Sequence, residues 1–217
     1  MTATPAGAAH GPVVGAASRE PAAFRDGLDA YLDLLEKWNR VYNLTAIRDR
    51  AEMETLHVQD ALAVLPWLPA NAGLRILDVG SGAGVPGIPL ALARRDAAFV
   101  LLDANSKKTA FLAQAQIELE LGNVEVVTAR IEDFRPAQRF DVVIARAFSD
   151  LRTFAESVEH VLAPGARMLA MKGALPTAEI AALRSGIRVV ETPSVAVPGL
   201  AAERHLIIMQ EQQEMRS

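Results

Sequence analysis

Asp78, Gly80, Gly82, Gly84 and Asp103 are the residues whose types and spacing first point to chemistry. An apolar run, Arg75-Ile76-Leu77, leads into an acid, Asp78. Three alternating glycines follow, and Pro86 then opens a predicted helix. Alternating glycines let a backbone bend sharply and let a ligand approach it without meeting a Cβ. A strand, a Gly-rich turn and a helix N-terminus together build a nucleotide or nucleoside pocket. Asp103 ends the next apolar run, Ala98-Phe99-Val100-Leu101-Leu102. A carboxylate there can accept hydrogen bonds from both ribose hydroxyls.

Two cofactor classes fit this loop. Gly82, Gly84 and Gly87 satisfy G-x-G-x-x-G, and Asp103 lies about 20 residues on, as a dinucleotide fingerprint asks. Gly80, Gly82 and Gly84, with Asp78 two residues upstream, instead fit the E/D-x-G-x-G-x-G loop of S-adenosylmethionine-dependent methyltransferases. The second is favoured on charge. A carboxylate beside a pyrophosphate repels it, whereas the methionine part of S-adenosylmethionine carries an ammonium that Asp78 can help hold.

The elements that must position these residues are legible in outline. At 217 residues with 51% hydrophobic content, the chain suffices for one α/β domain with a full core and a small extension. It has no apolar run of about 18 residues, so no membrane span is expected. No secretory signal is read at the N-terminus, and the absence of cysteine fits a cytosolic protein. Zero cysteines also exclude a thiol nucleophile, including the cysteine-adduct route to C5 methylation of pyrimidines. The formal charge of −4 means that any RNA binding comes from a local basic patch.

Residues 1–17 are rich in Ala, Gly and Pro and are read as a disordered tail. Residues 18–72 are read as a helical cap, with Ser18 as a helix cap and Pro21 in the first turn. Phe24, Leu28, Tyr31, Leu32, Leu35 and Trp38 recur at helical spacing as a core-facing stripe. Lys37 to Thr45 leaves that helix for a loop, and a second helix runs from about Ala51 to Leu65 and stops at Pro66. From 73 to 210 the pattern alternates. Strands are expected at 75–79, 98–102, 124–127, 141–145, 167–171, 187–190 and 205–209. Helices are expected at 87–94, 106–121, 151–162 and 177–183, with Pro164-Gly165 as a helix stop. Nearly all-apolar strands alternating with helices argue for a parallel sheet covered on both faces. The last two strands lack an intervening helix and form an antiparallel pair.

Ligands of open α/β sheets sit beyond the carboxyl ends of the strands. That rule collects Asp78, Gly80 and Asp103 with three cations, Arg130, Arg146 and Lys172, which suit an anionic substrate such as RNA phosphate. Ile131 stands where a methyltransferase covers adenine, and Glu132 or Asp133 can read its amino edge. Lys107 and Lys108 follow Asp103 at a helix start, either as ligand contacts or as a solvated face. His57 and Asp60 read as a local polar pair, and Phe148 as core packing or as a stacking surface for a base.

With these residues in hand, the chain resembles the glucose-inhibited division protein B family, the RsmG ribosomal RNA methyltransferases. The resemblance rests on Lys37-Trp38-Asn39-Arg40-Val41-Tyr42-Asn43-Leu44-Thr45, on His57 with Asp60, and on Asp78 through Leu90. Leu101-Leu102-Asp103 with Lys107-Lys108, Phe140 through Ala147, Lys172-Gly173 and Glu203-Arg204-His205-Leu206 complete it, spanning residues 30–208 in order. It departs from the family in its long Ala/Pro-rich N-terminal tail.

The resemblance implies a Rossmann-like class I S-adenosylmethionine-dependent methyltransferase, α/β, with a seven-stranded mostly parallel sheet and an N-terminal helical extension. It implies methyl transfer to N7 of one guanine in the decoding-region loop of bacterial 16S ribosomal RNA. The substrate is that RNA, the small ribosomal subunit or an assembly intermediate, and the enzyme is expected to be a cytoplasmic monomer. The expected cofactor contacts are Asp78, Gly80, Ser81, Gly82, Gly84, Val85, Asp103, Ile131, Glu132 and Arg146. The expected RNA contacts are Asn43, Arg48, His57, Lys107, Arg130, Lys172, Arg204 and His205, with Arg146 and Lys172 at the reacting atoms. No metal is required. Guanine N7 carries a lone pair and no proton, so in-line alignment matters more than a general base. Three competing readings remain: a methyltransferase for a small molecule or protein, a nucleotide-binding regulatory protein without transfer activity, and a nicotinamide-dependent oxidoreductase.

Overall fold

The computed structural model describes residues 21–212. The expected tail and the Ser18 cap lie outside them. Seven strands form one sheet: β1 (Arg75–Val79), β2 (Ala98–Asp103), β3 (Val124–Thr128), β4 (Phe140–Arg146), β5 (Leu162–Lys172), β6 (Ile187–Glu191) and β7 (His205–Glu211). Their order is β3-β2-β1-β4-β5-β7-β6. Strands β1 to β5 run parallel, and β7 is antiparallel to both β5 and β6. The strand order therefore reverses at β1, and the crevice beyond the carboxyl ends of β1 and β4 is the topological switch point.

The strands are apolar on both sides because both sides are covered. Ile76, Leu101 and Ile144 face one cluster, and Leu77, Val143 and Ala145 face the other. On the first face lie α4 (Gly87–Ala93) and α5 (Ser106–Glu118), with α1 (Pro21–Tyr42) packed against both. On the second lie α6 (Leu151–Val158) and α7 (Thr177–Ala181). Leu32 and Leu35 of α1 belong to the same cluster as Phe111 and Ile208, so one core runs across residue 72.

Three elements differ from expectation. First, α1 continues to Tyr42, and Asn43 ends it in the left-handed region at φ 51°, which a short polar side chain tolerates. Second, the helix expected at 51–65 is divided. It comprises α2 (Arg50–Met53), a π-helical turn (Glu54–Gln59), α3 (Asp60–Leu62) and a 3-10 turn (Leu65–Trp67). The wider π turn changes which side chains share a face, a device frequent at functional sites. Third, Pro164-Gly165 lies inside β5 and does not end a helix. Phe140 pairs with Leu162 while Val142 pairs with Arg167, so the extra residues of β5 bulge, with Gly165 at φ 77°.

Tyr31 ties α1 to the glycine turn. Its fully buried O–H donates to the Ala83 carbonyl at 2.7 Å. Burial pushes the phenol above its usual range, so it stays a donor. Tyr31→Phe keeps the packing and strands that carbonyl. The expected loss is about 1–3 kcal/mol, read as a lower midpoint in urea denaturation with an unchanged slope.

Candidate functional site

The turn after β1 is built by its own backbone. Gly80 and Ser81 N–H both donate to the Leu102 carbonyl at the end of β2, at 2.8 and 3.0 Å. The Ser81 carbonyl accepts from Gly84 and Val85 N–H, and its hydroxyl donates to the Asp78 carbonyl at 3.0 Å. Gly80, Gly82 and Gly84 all take positive φ, which only glycine adopts cheaply. They then divide. A Cβ on Gly80 would meet no atom within 4 Å, whereas one on Gly84 would collide with Ile88. Open space above Gly80, with no more than ordinary contacts at Gly82, to the Gly80 carbonyl at 3.7 Å and Lys108 Nζ at 3.9 Å, is the cradle a ligand needs.

Two of the expected cofactor contacts also hold the turn itself together. Ser81 is buried with its hydroxyl, N–H and carbonyl all engaged inside the turn. Gly84 faces Ile88 and Leu112 and serves the packing of α4 and α5. Val85 is also buried.

Asp78 has no exposed surface. One carboxylate oxygen accepts from Gly87 N–H at 3.0 Å and fastens the start of α4 to β1. The other oxygen has no protein partner. Burial raises this carboxyl to about 7, against the pull of the Ser81 hydroxyl, the Gly87 N–H and the Arg146 charge. At the end of β2, Asp103 accepts from Gly82 N–H at 2.9 Å and from Asn105 N–H at 2.8 Å. Lys108 lies 3.8 Å away. An ionised carboxylate offers about four acceptor sites, so Asp103 retains capacity for ribose hydroxyls. An orphaned acid oxygen, an open glycine surface and a half-used acid fit a cationic nucleoside such as S-adenosylmethionine.

Across the switch point, Arg146 ends β4 and turns toward the N-terminal segment. It donates to the Leu56 carbonyl at 2.7 Å, to Asp60 at 3.5 Å and to His57 Nδ1 at 3.3 Å. Because an arginine only donates, His57 accepts on Nδ1 and gives its Nε2–H to Thr45 Oγ1 at 3.0 Å. Burial and then the Arg146 charge lower His57 to about 4, so the ring is neutral near pH 7. His57, expected on the RNA side, is 1% exposed and bonded to Arg146 and Thr45. His57 and Asp60 do not pair locally. Both serve Arg146 from another element.

The three expected cations follow or end parallel strands β3, β4 and β5 at the carboxyl edge of the sheet, and their side chains take different partners. Arg130 is exposed, Arg146 turns to the helical segment, and Lys172 Nζ meets Glu179 at 2.8 Å. Lys107 is exposed at the start of α5, and Arg48 bonds the side chain of Asn43 and the Asn39 carbonyl. Arg204 Nε meets Asp60 at 3.1 Å, and His205 Nδ1 contacts the Gly173 carbonyl at 2.9 Å. Lys172, Arg204 and His205 line one pocket with Asp60. Ile131 is buried against the second core cluster beside exposed Glu132. Phe148 packs on Phe154 at 5.3 Å. Sequence reasoning missed Tyr31, Asn39 and Asp60 as parts of the site. Asn39 is 1% exposed and braces Thr45 N–H and the Ile47 carbonyl. Its signal was its place in the Lys37–Thr45 segment that carries the resemblance, which does not say what the amide bonds.

A glycine cradle between two strand-end acids, at the switch point of this strand order, defines a class I S-adenosylmethionine-dependent methyltransferase. Solved structures agree on the fold. Glycopeptide N-methyltransferase MtfA, complexed with S-adenosylmethionine, superposes with a TM-score of 0.60 at 15% identity, covering 72% of this chain and 95% of that one. A SAM-dependent methyltransferase from Aquifex aeolicus gives 0.57 at 20% identity, covering 81% and 97%. The narrower assignment comes from sequence. The family model of rRNA small subunit methyltransferase G (GidB) matches residues 25–207, and the chain belongs to that family. It is 54% identical to ribosomal RNA small subunit methyltransferase G of Laribacter hongkongensis over 82% of this chain and 84% of that one. The protein of the same name from Pseudomonas aeruginosa is 49% identical, covering 83% of each.

Asp78 gives the site a pH signature. Its folded value lies above its ordinary 3.8, so the cofactor-free protein holds a proton that the unfolded chain releases. That contribution is full below about pH 4 and is lost as pH rises through about 7. Asp78→Asn removes it. The variant should gain on wild type in thermal midpoint between pH 5 and pH 8, and parallel curves would show that Asp78 does not titrate there.

Proposed function

We propose that this enzyme transfers the methyl group of S-adenosylmethionine to N7 of a guanine in the decoding-region loop of 16S ribosomal RNA. The observation that carries the reading is family membership across residues 25–207, with both strand-end acids and the glycine cradle inside that span. Bound S-adenosylmethionine supplies a methyl carbon made electrophilic by its sulfonium. The N7 lone pair forms the new bond as the carbon–sulfur bond breaks, and that electron pair neutralises the sulfur. No proton moves in this step, so the chain's task is alignment and charge placement.

The residues divide the work accordingly. The free oxygen of Asp78 accepts from the methionine ammonium, and Asp103 accepts from ribose hydroxyls. The backbone at Gly80 and Gly82 gives the close approach, Val85 backs the turn, and Ile131 with Glu132 bounds the adenine. Arg146 stands between cofactor and target base. Asn43, Arg48, Lys107, Arg130, Lys172, Arg204 and His205 form the RNA side, with Lys172 sharing the reacting atoms with Arg146. The enzyme is read as a monomer that acts in the cytoplasm on the RNA or on a subunit assembly intermediate.

The deciding experiment is transfer from labelled S-adenosylmethionine to small-subunit RNA from a strain lacking the activity, followed by mapping of N7-methylguanine. One modified guanine in the decoding-region loop is expected, and transfer only to proteins or small acceptors would refute the reading. Binding to the RNA should weaken steeply as salt rises. Arg146→Ala should lose about a hundredfold in turnover. Asp78→Asn should weaken cofactor binding at pH 8 by about tenfold or more, measured by calorimetry.

A further inference from the structure

Asp60 is buried, 4% exposed, at the point where the π turn passes into α3. Its two carboxylate oxygens go to different places. One faces Arg146 at 3.5 Å, at the end of β4, and the other accepts from Arg204 Nε at 3.1 Å, one residue before β7. These arginines belong to strands that are not neighbours, since β5 lies between them. Two guanidinium groups would repel each other without the carboxylate between them. Arg146 is further held by Leu56 and by neutral His57, both from the same π turn. Arg204 borders the pocket that also contains Lys172 and His205.

We propose that Asp60 is a positioning residue, a single buried carboxylate that fixes Arg146 on the cofactor side and Arg204 on the RNA side of the site. The inference rests on the methyltransferase reading given above. Without the charge Arg146 keeps the Leu56 carbonyl and His57, whereas Arg204 keeps only the adjacent Glu203 carbonyl, at 2.9 Å, and its Nε–H is released. Misplacement of about 1 Å suffices for a loss of about a hundredfold in rate. The glycine turn and its two acids do not touch Asp60, and Arg146 stays anchored by Leu56 and His57, so cofactor affinity is kept.

The test compares Asp60→Asn with wild type in three measurements: single-turnover methylation of small-subunit RNA, calorimetric cofactor binding, and NMR of the arginine Nε–H groups. Turnover should fall about a hundredfold while the cofactor Kd stays within about threefold. The Arg204 Nε–H, slow to exchange in wild type, should become fast. The loss should not add to that of Arg204→Ala, as expected for partners in one contact. A folded Asp60→Asn protein with wild-type turnover, or with an unaltered Arg204 resonance, would overturn the inference. If Asp60→Asn does not fold, Asp60→Glu keeps the charge, displaces the carboxylate by one methylene and is read the same way. Wild-type protein inactive on the RNA would sink the function proposed above, and the arginine resonances would still decide whether Asp60 holds both groups.

Discussion

A buried carboxylate at the end of the central strand is the constraint to which the rest of the site answers. Asp78 has one oxygen on Gly87 N–H and one oxygen without a protein partner. A half-satisfied acid in a dry interior is costly, and folding tolerates it only where something else returns the free energy. The single bond it makes turns the chain straight from β1 into α4 through a run of positive-φ glycines. Asp103 then holds that turn from the adjacent strand through Gly82. The two acids are therefore structural and electrostatic at once. They shape the cradle and leave in it an appetite for positive charge.

The helical segment before β1 is more than a cover. It reaches the site at two points, through Tyr31 on the Ala83 carbonyl and through Leu56, His57 and Asp60 on the arginines. Both contacts leave a buried polar group stranded if broken, so the segment and the sheet hold one another to a single arrangement. This interlock agrees with a core in which residues of α1 and β7 share a cluster.

The strands were legible because a sheet covered on both faces writes itself as apolar runs with acids or cations at the ends. The glycine turn was legible because few backbones need three alternating glycines. Other features were not. Ser81 and Gly84 sit inside the motif, yet their roles depend on which way the turn faces, and spacing carries no such direction. The π turn has no distinctive composition, so His57 and Asp60, three residues apart, looked like partners on one helix face. Pro164-Gly165 carried the signal of a helix stop, and only the pairing of β4 with β5 shows that it is absorbed in a bulge. What sequence could not convey was which distant groups a polar side chain would meet.

The contact between Asp60 and Arg204 joins residues 144 positions apart. Arg204 precedes β7, which inserts between β5 and β6 to complete the sheet. Synthesis runs from the N-terminus, so Asp60 emerges from the ribosome long before its second arginine exists. The acceptor side of the pocket waits for Arg204 even after β1, β2 and the glycine turn have formed. A site completed in this way depends on β7 docking between β5 and β6.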